Sequence, residues 1–181
     1  MLRWVGERAG PNSNDEILIV SQFYWPEPSG SAPVVSDIAQ WLAEKGHPVT
    51  VLTSRPFYPT DRVYPEYTDG SKDRECVKGV RVVRVPTRVP KGAGIAARLM
   101  NELYFYVHAT NCLRDGNVVP SRRVVSLCPS ILAVCAAQKF VRHGGRHTSL
   151  VHDIQSGLAG ALFGRAGRAV RWMLSRIERR A

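Results

Sequence analysis

The chain has 181 residues, with 44% hydrophobic and 22% charged side chains, 15 glycines and 12 prolines. That is the length and composition of one globular domain, and it excludes a disordered or fibrous chain. No run of about 18 apolar residues occurs, which excludes a spanning helix, and the opening Met1–Glu16 lacks the apolar stretch of a secretory leader. The formal net charge is +10, and residues 161–181 hold six arginines against the single Glu178. Such a balance suits an anionic partner without choosing among nucleic acid, membrane surface and phosphorylated substrate.

Residues 1–15 read as a flexible tail and 16–181 as one domain. Ile17–Ser21 is a continuous apolar run, the pattern of a strand covered on both faces. A loop rich in turn residues follows, from Tyr24 to Ala32. Pro33 suits a first helical turn with Ser31 or Ala32 near the cap, and Val34, Val35, Ile38, Ala39 and Leu42 form an apolar helical face ended by Gly46. Val49–Thr53 is the next strand, so the first fifty residues predict a βαβ unit. Residues 55–79 read as a long irregular stretch before a strand over Val80–Val85. Ile95–Leu113 predicts a well-buried helix, Arg123–Leu127 a strand, and Ile131–Val141 a helix stopped by Gly144-Gly145. Ser149–Ile154 is the last strand expected. Beyond it, Phe163, Ala166, Val170, Leu174 and Ile177 share a helical stripe flanked by arginines, an amphipathic basic helix suited to an anionic bilayer, a second domain or nucleic acid. The alternation is that of an α/β, Rossmann-like, doubly wound parallel sheet.

Such sheets bind ligands beyond the carboxyl ends of their strands. The segments there are Gln22–Ala32, Ser54–Pro59, Pro129-Ser130 and His152–Ser156. A dinucleotide fingerprint needs three glycines and a later acid; this chain offers Gly30 alone and ends its second strand in Thr53-Ser54. No P-loop and no G-x-S-x-G elbow is present. The small residues Pro28–Ala32 suit either a plain helix cap or a phosphate or sugar hydroxyl held at a helix N-terminus. His152, beside Asp153, is either satisfied at its strand end or free to meet a sugar. His143 and His147 have the spacing of a helical metal pair, but Gly144-Gly145 between them breaks that helix. Cys76, Cys112, Cys128 and Cys135 include no C-x-x-C pair, and three lie in apolar stretches, as expected of buried thiols in a reducing cytoplasm.

Residues Ile17–Pro59 carry a resemblance. Their strand, Pro- and Gly-containing loop, helix ending in Gly46-His47, alternation Val49, Val51, Thr53 and turn Phe57-Tyr58-Pro59 resemble the opening of retaining GT-B glycosyltransferases of family 4, in particular bacterial exopolysaccharide transferases of the colanic-acid type. Gly79–Val82, Arg98, Asn101 and Val151–Ser156 fit the same order.

The resemblance implies an acceptor-binding N-terminal domain, whose partner domain binds the nucleotide sugar and carries an E-x7-E motif. No glutamates here stand eight apart, so the donor-binding domain is expected to be absent from this chain. Carried over by position, Ser29, Gly30, Ser31 and Ala32 would line the cleft near the donor phosphates, although Ser29-Gly30-Ser31 replaces the paired glycines of many relatives. His152 and Asp153 would be the catalytic pair, and Phe57, Tyr58, Arg98 and Asn101 would border the acceptor. No cofactor and no metal is implied. The implied partners are a nucleotide-sugar donor, a saccharide or lipid-linked acceptor, and an anionic membrane surface on the inner face of the plasma membrane. The rival reading is a non-enzymatic Rossmann-like module that binds nucleic acid through its basic C-terminal helix; otherwise nucleic acid is not expected.

Overall fold

The computed structural model describes residues 16–28, 30–89, 95–128 and 130–151. Six strands and three helices follow one another as β1 (Ile17–Val20), α1 (Ala32–Glu44), β2 (Val49–Ser54), β3 (Arg74–Val77), β4 (Val80–Val85), α2 (Ile95–Arg114), β5 (Ser121–Cys128), α3 (Ile131–Lys139) and β6 (Val141–Val151). They form one sheet in the order β3-β4-β2-β1-β5-β6, in which only the β3–β4 pair is antiparallel. This is the Rossmann-like α/β fold expected, with one antiparallel edge added.

The strands β1 and β2 are buried along their whole length because helices cover both faces of the sheet. Alternate residues supply two cores. Ile17, Ile19, Val49, Val51, Val80 and Val82 meet Val35 and Ala39 of α1 on one side. On the other, Leu18, Val20, Leu52, Val83, Val85 and Val124 meet Phe105 and Ala109 of α2 and Ala133, Ala136 and Ala137 of α3.

Three expectations are corrected. The stretch 55–79 is not irregular throughout: it contains a 3-10 turn at Pro65–Tyr67 and then β3, which returns on β4 through Lys78-Gly79. Both turn residues have positive φ, 48° and 80°, the geometry a two-residue hairpin needs to match strand twist. Gly144-Gly145 does not stop a helix. The helix has already ended at Lys139, and the glycines lie within β6, which starts eight residues before the expected strand. There the register jumps between Ser121↔Val141 and Arg123↔Arg146, and a Cβ on Gly145 would stand 2.8 Å from Arg122 Cα and O. Glycine is required by that close backbone approach. Lastly, α2 is buried on one face only. Asn101, Phe105 and Ala109 point inward at a spacing of four, while Leu99, Met100, Leu103 and Val107 are 43–58% exposed. Among the described residues no helix is long and apolar enough to cross a membrane.

Candidate functional site at the carboxyl edge of the sheet

The strand order sets the place. From β1 the chain moves through β2 to β4 on one side, then continues with β5 and β6 on the other, so the winding reverses between β1 and β5. A crevice opens at such a reversal, because the loops leaving the two central strands turn to opposite faces. The loop after β1 and the start of α3 border it.

The loop after β1 is tied down residue by residue. Ser21 N–H donates to Leu52 O (3.1 Å) and Ser54 N–H to Gln22 O (3.3 Å), where Thr53 Oγ1 also donates (3.2 Å). Tyr24 is buried in the α1-side core, and its hydroxyl is pushed up to about 12 by that burial. Ser36 Oγ accepts from Trp25 N–H (3.0 Å) and donates to Ala32 O (2.7 Å). Arg84 is buried, yet it reaches the same loop: Nη2 donates to Trp25 O (2.8 Å) and to Glu75 Oε1 (2.6 Å), with the guanidinium 4.7 Å from the Tyr67 ring centroid.

Glu27 joins this loop to the turn after β2. Its Oε1 accepts from Phe57 N–H (3.1 Å) and Tyr58 N–H (2.9 Å), and its Oε2 lies 3.4 Å from Tyr24 N–H. Burial raises its pKa, opposed by those backbone donors and by the charge on Arg84. Phe57 is buried against Phe23 (centroids 5.9 Å), whereas Tyr58, 6.4 Å from the same ring, is 45% exposed. Trp25 is 40% exposed. Both exposed rings precede prolines in cis peptide bonds, Trp25-Pro26 and Tyr58-Pro59.

Gly30 has φ +69°, and a Cβ built there meets nothing within 4 Å, so backbone conformation, not crowding, selects glycine. Ser31 is the N-cap of α1, but its side chain makes no capping bond. The N-terminal N–H groups that Pro33 leaves on this turn are therefore free of a side-chain cap, a setting that favours negative charge. At the crevice's other border Ser130 Oγ caps α3 by accepting from Ala133 N–H (3.3 Å). Burial raises the pKa of Glu102, opposed by the nearby Ser130 hydroxyl and Leu132 N–H and by the charge of Arg98. Arg98, one helical turn before Glu102 on α2, is exposed, and Asn101, the residue just before Glu102, is buried.

Of the site residues read from the sequence, Gly30, Ser31 and Ala32 share the loop and helix start, Phe57 and Tyr58 share the turn bonded to it, and Arg98 and Asn101 lie on α2 near the start of α3. Ser29, His152 and Asp153 lie outside the described residues, as does the arginine-rich segment 161–181. Sequence reasoning missed Trp25, Glu27, Ser36, Arg84 and Glu102. Glu27 stands between Pro26 and Pro28 in an aromatic loop, and Arg84 sits among valines in β4; an isolated charge in an apolar setting was the available signal in both. Among the described residues no group of three or more His, Cys, Asp or Glu is placed to hold a metal ion. His143 and His147 lie on β6; the latter pairs with Ser126 Oγ (2.8 Å), and burial lowers its pKa. A polar groove of about 320 Å³, lined by Asp73, Arg74, His108, Asn111 and Asp115 among others, lies between the β3–β4 hairpin and α2 and includes none of the expected site residues.

No protein-family model matches the chain. The chain is 28% identical over 136 residues to the putative colanic acid biosynthesis glycosyl transferase WcaI of Escherichia coli strain K12. The match covers 75% of this chain and 33% of that protein, so the chain spans about a third of the length of the curated relative it matches. With its Rossmann-like sheet and this likeness over three-quarters of its residues, the chain resembles a family 4-like exopolysaccharide glycosyltransferase.

Proposed function

We propose that the chain is the acceptor-binding, N-terminal domain of a retaining GT-B glycosyltransferase that moves a sugar from a nucleotide sugar to a lipid-linked saccharide in exopolysaccharide synthesis. The observation that carries this reading is the match itself: 136 residues of this chain align with one third of a glycosyl transferase, a share that suits one domain of a larger enzyme. The site geometry supports it. The uncapped start of α1 at Gly30–Ala32 offers N–H groups and a helix dipole to donor phosphates, and Tyr58 offers an exposed ring to an acceptor.

In this reading Ser29–Ala32 meet the departing diphosphate, Phe57, Tyr58, Arg98 and Asn101 border the acceptor, and His152 with Asp153 meets the transferred sugar. The reaction separates charge between the leaving diphosphate and an electron-poor sugar carbon, so groups aimed at either lower the barrier. The second, donor-binding domain supplies the remainder. The enzyme works in the cytoplasm at the inner face of the plasma membrane, where the basic segment 161–181 contacts anionic lipid.

The test is a titration of the 181-residue chain with UDP-glucose and GDP-mannose, followed by amide chemical shifts and by an assay for sugar transfer. Weak binding with shifts at Gly30–Ala32, without transfer, is expected. Transfer catalysed by this chain alone would falsify the half-domain reading, and shifts confined to the groove between the β3–β4 hairpin and α2 would move the site elsewhere.

A further inference from the structure

The junction between β1 and β2 continues past the point where the sheet ends. The ladder of backbone bonds between them runs out at Ser54 N–H to Gln22 O. The next donors on the β2 side that face the loop are Phe57 and Tyr58, and among the described residues no backbone carbonyl of the loop takes them. The Glu27 carboxylate does. It stands in for the missing strand, tying positions 30 and 31 residues apart through a side chain that is 5% exposed. The neighbouring residues have no backbone donors to compete, since Pro26, Pro28, Pro56 and Pro59 lack N–H groups. Burying a carboxylate costs free energy unless it is met by donors, and here all the recorded donors are backbone N–H groups, which fix its direction and theirs. The same loop carries Trp25, held at both its N–H and its carbonyl by Ser36 and Arg84. Two exposed aromatic rings, Trp25 and Tyr58, thus project from backbone that one buried carboxylate unites.

We propose that Glu27 is a positioning residue of the saccharide site: by clamping the turn Phe57-Tyr58 to the loop after β1, it holds the exposed Tyr58 and Trp25 rings where the apolar face of a sugar ring can stack on them. This rests on the glycosyl-transfer reading above for the identity of the ligand. The clamp itself does not.

The experiment uses the 181-residue chain with Glu27→Gln and Glu27→Ala, beside Tyr58→Ala. Hydrogen exchange at the Phe57 and Tyr58 amides needs no ligand. Protection there is expected to fall at least tenfold in Glu27→Ala and by less in Glu27→Gln, whose amide keeps one accepting oxygen, while Thr50–Leu52 of β2 stay protected in both. Binding is then read by titration with glucose, galactose, fucose and N-acetylglucosamine. The Kd for whichever sugar binds is expected to rise at least fivefold in Glu27→Ala and in Tyr58→Ala, with Glu27→Gln intermediate. Unchanged protection in both Glu27 variants overturns the clamp. Lost protection with unchanged Kd overturns its role in the site. A wild-type chain that binds none of the four sugars overturns the saccharide reading and the substrate named here, while the exchange data still decide the clamp. Should Glu27→Ala not fold, the near-isosteric Glu27→Gln decides both readouts.

Discussion

At the carboxyl edge of the sheet Trp25 and Tyr58 stand exposed on backbone that buried side chains from elsewhere in the chain hold, whereas along α2 Leu99, Met100, Leu103 and Val107 stand exposed on a regular helix. The surface exposure is similar and the construction is not. At the edge, irregular backbone cannot satisfy its own N–H and C=O groups, so Glu27, Ser36 and Arg84 are brought in to do so, and each aromatic ring acquires a defined place. On α2 the helix itself sets the backbone, and the outer apolar side chains satisfy no backbone group. Exposed apolar residues are common on soluble proteins; the informative ones are those whose backbone the interior has been arranged to hold.

Substitutions test that contrast, and the largest effect is expected at Arg84. Arg84→Met keeps much of the volume but leaves Glu75 without its guanidinium and Trp25 O without its donor, at a cost on the order of 3 kcal/mol; urea unfolding measures it, and a loss below the scatter of surface variants would break the comparison. Gly30→Ala should cost about 1 kcal/mol from positive φ alone, since no atom stands within 4 Å of the new Cβ. A bulky side chain there would therefore act through strain, not by contact with the fold, and a cost well above that figure in the same unfolding experiment would show a clash.

Tyr24→Phe sharpens the picture through its pH dependence. The Tyr24 hydroxyl is buried, and among the described residues Gln40 is near it without a hydrogen bond of good geometry, so its removal should change stability by less than about 1 kcal/mol at pH 7. Above pH 10 the unfolded chain loses that proton first, because the folded pKa is raised to about 12. The folded state then binds more protons, and stability falls by as much as about 1.4 kcal/mol per pH unit until pH 12. The variant should lack this share of the alkaline slope; identical wild-type and variant slopes between pH 10 and 12 would count against a buried hydroxyl. Leu103→Gln on the outer face of α2 should change stability by less than about 0.5 kcal/mol. A larger loss in thermal melts would mean that α2's outer face is constrained after all.

Much of this fold was legible from residue pattern. The run Ile17–Val20 and the strand Val80–Val85 lie where apolar periodicity put them, and Pro33 and Gly46 bracket α1 as expected. What pattern could not show was pairing. The short β3, Arg74–Val77, is half exposed and alternates only weakly, and becomes a strand because Lys78-Gly79 folds it onto β4. The glycine pair in β6 carries the same local signal as a helix stop, and only the folded structure separates the two: Gly144 has a φ of +76°, and Gly145 lies against the backbone of Arg122. For the candidate site, the sequence marked the loop Gly30–Ala32 and the turn Phe57-Tyr58, because turn residues after apolar runs are local features.

Composition and periodicity by themselves determined an α/β sheet, its βαβ opening and the segments at its carboxyl edge, since these follow from which residues one stretch of chain can bury. The tertiary structure decided the strand order that puts the reversal between β1 and β5, and it decided that Glu27 reaches the amides of Phe57 and Tyr58 while Arg84 reaches the carbonyl of Trp25. Those contacts join residues 30 to 59 positions apart. Their partners are backbone groups, which any residue type presents alike, so no local pattern encodes them and only the folded geometry brings them together.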